Sequence, residues 1–496
     1  MTSMGIALVI YVSLFFILGI SMVKLVRGSG KRYIVCGKSL PLLFVATMLT
    51  AQAIDANSTI GNSSLTYASG FWMGFIIPLG LAACLLITGT FFAAPLNRMK
   101  LLTLPDFYFR RYGSLVELLT SGLMGLSFII LIGGNFAGAA WIVSVVFKTN
   151  YLSALILVAI VILLYTTAGG LFASAATDFV QIYPAIIGFL GGFLWLLISK
   201  GWGFFAQSIP PGFLSWKVLF SFQGGAWSIW GSFFALALGD VVALDFMERI
   251  FAARTPQVAR RGCYIGAALT IISGISCSFL GLMGLKLFPQ IADSRMVLPM
   301  LALSALPFIF GLLILAGVIG AGASTANGGI LGVSTVLGRN ILQKNILKLI
   351  LRNKEGESNK IDFTDRKLLI ISRLMALPVV GLAVVLAWVK PEPGILLVLA
   401  FDVVFAGCFV PLAGGIYWKK ANAAGAVAAI VAGSLLRVIL YIVIPEPLKG
   451  LDTLLPPLLS LLVFIPVSLA TQKKYPPNHE AISRVPTDEE VISGVY

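Results

Sequence analysis

The residues with chemistry to do in this chain are the polar ones that interrupt long apolar runs. Asp55 sits in "AQAIDANSTIGNSS" (51–64), with Gln52, Asn57, Ser58 and Thr59 around it and Gly61 close behind. Asp240 follows Gly239 in "ALALGDVVALD" (235–245). In "GAGASTANGG" (320–329), Ala321, Ser324, Thr325 and Gly328 fall at i, i+3, i+4 and i+7, one face of a helix. A charge within hydrocarbon is costly unless it is paired or faces water. Carboxylate, hydroxyl and carbonyl oxygens are what a small hard cation prefers. Taken alone, the 320–329 face supports two readings equally. One is a seam of small residues for close helix packing, each hydroxyl bonding its own i−4 carbonyl. The other is a set of oxygens turned toward a cation. Asp245, Glu248 and Arg249 are spaced for a structural ion-pair cluster at a helix end.

These residues must be carried by membrane-spanning helices. Of 496 residues, 58% are hydrophobic and 11% charged, a balance suited to a polytopic membrane protein. The apolar runs are continuous, whereas barrel strands would alternate. A span takes about 20 residues, and runs separate at 4–24, 40–62, 70–93, 115–147, 151–168, 177–199, 227–250, 262–287, 296–338, 367–389, 394–416, 422–444 and 450–471. The 296–338 run is long enough to include a short approach segment before its membrane helix. The net charge of +15 bunches in alternate links: Lys24 to Lys38, Arg98 to Arg111, Arg254 to Arg261, Arg339 to Lys367, Lys419–Lys420 and Lys473–Lys474. With thirteen spans every such link is cytoplasmic, the N-terminus lies outside and the C-terminus inside. That distribution argues against nucleic acid as a partner. Cys36, Cys84, Cys263, Cys277 and Cys408 lie far apart and suit buried small hydrophobes, with neither a disulfide framework nor a metal cluster. The expectation is one integral membrane domain, 1–471, and a cytoplasmic tail, 472–496, with no cleaved leader.

Polar interruptions in the second and seventh spans point to unwound helices near the midplane, in corresponding halves of an inverted repeat. That is an architecture for secondary transport. A membrane enzyme would need a nucleophile–base or metal cluster, and neither HExxH nor GxSxG occurs. A channel needs no site broken on two repeats. A sensor on the same core would usually carry a signalling domain, for which the tail is short.

Five stretches carry a family resemblance across nearly the whole chain: "LTLPDFYFRRYG" (102–113), "AGGLFASAATDFVQ" (168–181), "DFMERIFAARTPQVARRG" (245–262), "GAGASTANGGILGVSTVLGRNI" (320–341) and "GIYWKKANAAGAVAAIVAG" (415–433). In these the chain resembles the sodium:solute symporters, carriers of proline, sialate, glucose and choline. The resemblance implies an all-α fold of about thirteen transmembrane helices with a five-plus-five inverted-repeat core. One extra helix (4–24) precedes repeats at 40–199 and 227–416, and two peripheral helices (422–471) follow. It implies Na+ as the coupling ion, held by carbonyls of Ala53, Ala56 and Ala321 and hydroxyls of Ser324 and Thr325, with Asp55 beside the site. Asp178 matches an acid some members use for a second sodium. Asn327 and Gly328 stand where that site would want hydroxyls, so one sodium is expected and Asp178 is assigned to structure or the exit path.

The expected activity is sodium-coupled import of a small organic solute by alternating access, in the plasma membrane. Gln52, Asn57, Phe128, Asn135, Phe136, Phe234 and Asp240 are the candidate solute-lining residues. Asp240, with no embedded Arg or Lys on those spans, favours an amino acid or other small amine. A sugar or monocarboxylate is the alternative. The sequence is silent on oligomeric state.

Overall fold

The computed structural model describes residues 3–347, 365–487 and 490. The basic residues expected at 348–360 and the last of the tail, 491–496, lie outside them. The described residues are helical throughout, with one isolated bridge, Leu40 to Ala253, as the only extended pairing among them.

The chain opens with α1 (Ser3–Ser21) and a short α2 (Gly30–Val35). The second apolar run forms two helices, α3 (Leu42–Ala53) and α4 (Ala56–Ser69), so it is interrupted where expected and extends seven residues past 62. Then come α5 (Phe71–Arg98), α6 (Pro105–Tyr112) and α7 (Ser114–Phe147).

The runs at 151–168 and 177–199 are one helical stretch, α8 (Tyr151–Lys200), rather than two helices with a link. It is nonetheless bent back on itself. The Tyr165 and Thr177 hydroxyls lie 2.6 Å apart, whereas twelve residues of straight helix span about 18 Å. The fold falls at Gly170, whose φ of +55° and ψ of −141° leave the helical region. A Cβ there would also lie 2.5 Å from the Tyr33 carbonyl, so only glycine fits.

The seventh run is a bent pair, α9 (Ala226–Val242) and α10 (Leu244–Ala252), 49° apart. The interruption expected at Gly239–Asp240 is a wide π-turn into a 3₁₀ turn, and the chain leaves helical geometry at Ala243 (ψ 133°). Next are α11 (Pro256–Leu287), a short α12 (Ser294–Ala305) and α13 (Phe308–Thr335), which continues in π-turns to Leu347. Pro307 ends the approach segment and starts the long helix. The remaining helices are α14 (Asp365–Val389), the 48°-bent pair α15 (Pro393–Gly407) and α16 (Phe409–Tyr417), then α17 (Ala423–Val443) and α18 (Leu451–Ala470).

Nine helices among the described residues are long and apolar enough to cross a bilayer, or eleven if each bent pair is one crossing. The folded α8 and the broken α3–α4 account for the difference from thirteen: one is a single long helix, the other two short ones. Large apolar side chains such as Leu14, Ile198, Trp388, Ile442 and Leu462 stand more than half exposed on the outer helices. A surface of that kind suits lipid.

Two of the quoted stretches clamp helix ends together. Arg339, just past α13, contacts Asp106 of α6 at 2.5 Å, and Asn340 donates to Asp106 and to Glu117 of α7 (3.2 and 2.6 Å). The Thr103 hydroxyl donates to Asn340 in turn (3.1 Å). All five side chains are buried and joined in one network, so the α5–α6 link is tied to the end of α13.

Candidate functional site

The break between α3 and α4 is built by two residues. Ile54 (φ −111°, ψ 42°) still donates to the Thr50 carbonyl and ends α3, while Asp55 is extended (φ −79°, ψ −178°). The last carbonyls of α3 therefore lack helical donors. The Asp55 carboxylate restarts the helix as an N-cap, accepting from the Ser58 amide at 2.8 Å. A helix C-terminus is electronegative, and the carboxylate adds to it, so the break attracts a cation. Ala53 and Ala56 flank it, both fully buried.

Helix α13 meets the break at Gly322. A Cβ there would lie 2.6 Å from Ala56 Cβ and 3.3 Å from Asn135 Oδ1. Ala321 is the next residue back, and Ser324 and Thr325 lie within a turn, all buried. Thr325 Oγ1 has no hydrogen-bond partner. The Ser324 hydroxyl is 2.6 Å from that of Ser174, and the Ala53 carbonyl accepts from the Ser58 hydroxyl at 2.9 Å. Both serine contacts can turn away from an arriving ion without moving backbone.

The residues present fit sodium on two grounds. The ligand atoms are all oxygens, and two buried oxygens near the contact lack a donor: Thr325 Oγ1 and Asn135 Oδ1. A buried acceptor left unpaired costs about 1–3 kcal/mol, a deficit an ion would relieve.

The candidate solute residues divide. Gln52 of α3 donates to both Asp240 oxygens (3.1 and 3.4 Å), tying the two interrupted spans together. Asn135 belongs instead with the break, donating to Asp55 Oδ2 at 2.7 Å. Asn57 donates to the Leu131 carbonyl (3.0 Å), with its Oδ1 against Gly134. Phe128 and Phe136 are fully buried on α7, and Phe128 packs on Gly329, about one turn along α13 from Thr325. Phe234 is 37% exposed and packs with Trp230 and Phe233, unlike the buried Gln52–Asp240 pair.

Asp178 lies on the second arm of α8, one turn past Ser174, and both its oxygens are buried without hydrogen-bond partners. Asp245 and Arg249 form the expected ion pair (2.9 Å), packed on Gly328. Glu248 does not join it: its carboxylate is buried without a hydrogen-bond partner, next to Gly332.

Two features escaped the sequence reading. Ser174 holds the Ser324 hydroxyl, and no local pattern marks it among many small residues, whereas Ser58, which holds the Ala53 carbonyl, was among the polar residues already picked out beside Asp55. Asp402, inside the apolar run "LVLAFDVVFAG" (397–407), gave the same signal as Asp240. It binds Arg437 of α17 at 2.5 Å and Thr453 of α18 at 3.0 Å, while Arg437 also reaches Asp452 at 3.1 Å. This cluster is structural.

The model of the sodium:solute symporter family matches residues 33–433. The sodium/pantothenate symporter of Escherichia coli is 28% identical over 444 residues, covering 87% of this chain and 89% of its own. The sodium/proline symporter of Staphylococcus aureus is 24% identical, covering 94% and 93%. The human high affinity choline transporter 1 is 24% identical, covering 87% and 76%. Among solved structures, a Na+-coupled sialic acid symporter in a substrate-bound outward-open state superposes with a TM-score of 0.73 at 16% identity, covering 96% and 99%. A nucleobase-cation-symport-1 family transporter follows at 0.57 and 15% identity, covering 91% and 97%. The matched proteins are transporters.

Proposed function

The chain belongs to the sodium:solute symporter family, and from that premise we propose that one sodium ion binds where α13 meets the α3–α4 break. Ala53, Ala56, Ala321, Ser324 and Thr325 would supply the oxygens, and Asp55, held by Ser58 and Asn135, the balancing negative field. The observation that carries this is the partnerless Thr325 hydroxyl buried opposite an electronegative helix break.

Sodium is the coupling ion of this multi-pass membrane transporter. A shared ion can drive a conformational cycle only if it binds the two states differently. Here its ligands sit on two separate elements, so bound sodium favours the state in which α13 and the break are closely apposed. The membrane potential adds about 2.3 kcal/mol per charge for each 100 mV. The cycle we propose is alternating access across thirteen crossings, with the N-terminus outside, and with repeats at 40–199 and 227–416. Asp178 would lie on the exit side.

For the solute we propose an amino acid or other small amine, recognised at the Gln52–Asp240 pair. Both side chains are buried, join the two interrupted spans, and present a carboxylate with no basic residue paired to it among the described residues. The pantothenate relatives favour a second reading, a carboxylate-bearing solute, in which Gln52 would be the main contact. Uptake into proteoliposomes across a panel of amino acids, amines, sugars and monocarboxylates decides between them. Uptake of an amine that rises with an inward sodium gradient is expected. Uptake indifferent to the gradient would refute the coupling, and uptake of carboxylates alone would refute the solute assignment.

A further inference from the structure

A groove between α16 and α18 has no part in the transport reading. Phe409, Ala413 and Tyr417 form one wall and Leu461, Ile465 and Leu469 the other, around about 940 Å³. That space is far more than one side chain could fill. Gly414 lets the helices touch at one point, since a Cβ there would lie 2.3 Å from the Phe464 ring, and the groove opens beside it.

Its mouth is basic. Lys419 and Lys420 line it and are exposed, and Lys473 and Lys474 stand exposed just past the end of α18. Behind the turn, the buried Arg111 donates to the Gly415, Trp418 and Lys419 carbonyls (3.0, 3.2 and 3.4 Å), with Nη1 left unpartnered. None of these five cations has an acidic partner among the described residues, and no acid lines the groove. Neighbouring bases are neutralised instead: Arg437 of α17 by Asp402 and Asp452, and Lys449, just before α18, by Glu446. The described residues therefore leave this basic mouth without an anion. Trp418 packs on Phe464 at this level, with Tyr417 beside it, the aromatic pattern of a membrane–water interface. Basic pockets between spanning helices suit anionic lipid headgroups.

We propose that this groove binds one anionic glycerophospholipid, its acyl chains along α16 and α18 and its phosphate at Lys419 and Lys420. The lipid would also steady the end of α16, where the Tyr417 hydroxyl donates to the Phe91 carbonyl of α5.

Native mass spectrometry of the full chain, with phosphatidylglycerol and phosphatidylcholine added in equal amounts, tests this. The protein should retain one phosphatidylglycerol in preference. Lys419→Gln with Lys420→Gln should reduce that preference by about 30-fold, from the contribution of two lysines near an anionic headgroup. Ala413→Trp fills the groove without changing charge and should abolish retention, with ²²Na+ binding and thermal unfolding of each variant reporting an intact fold. Equal retention of both lipids by the unmodified protein would overturn the proposal. So would an Ala413→Trp protein that keeps its phosphatidylglycerol, since the lysines would then act as open surface. Displacement of the lipid by millimolar inorganic phosphate would also overturn it, because the site would be one for a free anion.

Discussion

A single methyl group added at position 322 would part the two halves of the proposed sodium site. The Cβ of Gly322→Ala would lie 2.6 Å from Ala56 Cβ, whereas carbon atoms rest at about 3.5–4.0 Å. Ala56 has no flexible side chain to swing aside, so α13 and the break must part by about 1 Å at van der Waals contact. Overpacking of this kind costs about 1–3 kcal/mol. Because the strain exists only when the two elements are apposed, it falls on the sodium-bound arrangement. At about 1.4 kcal/mol per tenfold, sodium affinity should drop about five- to a hundredfold. The assay is ²²Na+ binding to purified protein by scintillation proximity, independent of the solute. Gly381→Ala is the control: its Cβ meets nothing within 4 Å, so its affinity should be unchanged. A Gly322→Ala protein that binds sodium as the parent does would refute the placement of the site at this contact.

Thr325→Ala should weaken sodium affinity by about tenfold or more, the scale of one interaction with a charged group, while leaving thermal unfolding almost untouched because Thr325 Oγ1 has no protein partner to lose. Ser324→Ala should weaken sodium and also destabilise slightly, since the Ser174 hydroxyl keeps only its long contact to the Ser324 carbonyl; unchanged sodium dependence in both variants would favour the packing reading. Asp240→Asn should depress amine uptake while sodium binding persists, and full amine uptake would remove the argument for an amine. Arg437→Met leaves Asp402 and Asp452 buried without a counter-charge, which should lower stability by about 3–5 kcal/mol in thermal melts, partly recovered by adding Asp402→Leu.

What the sequence alone determined is local. The composition demands a bilayer, because helices with this little charge would not stay dissolved. The break at Asp55 was legible because a carboxylate flanked by small polar residues both ends one helix and caps the next. The face formed by Ala321, Ser324 and Thr325 follows from 3.6 residues per turn, and the family from five stretches in order. The meaning of that face was open until the two helices were set side by side. Gly322 proves to be the contact point because Ala56 stands there, a relation across 266 positions that no periodicity encodes. The same holds for Asn135, assigned to the solute by its span yet turned to Asp55, and for Asp402, whose partners come from two other helices. The fold-back at Gly170 joined two expected helices into one because a single residue of left-handed backbone reverses direction without a loop. Spacing along a helix tells which side chains share a face; only packing decides what that face meets.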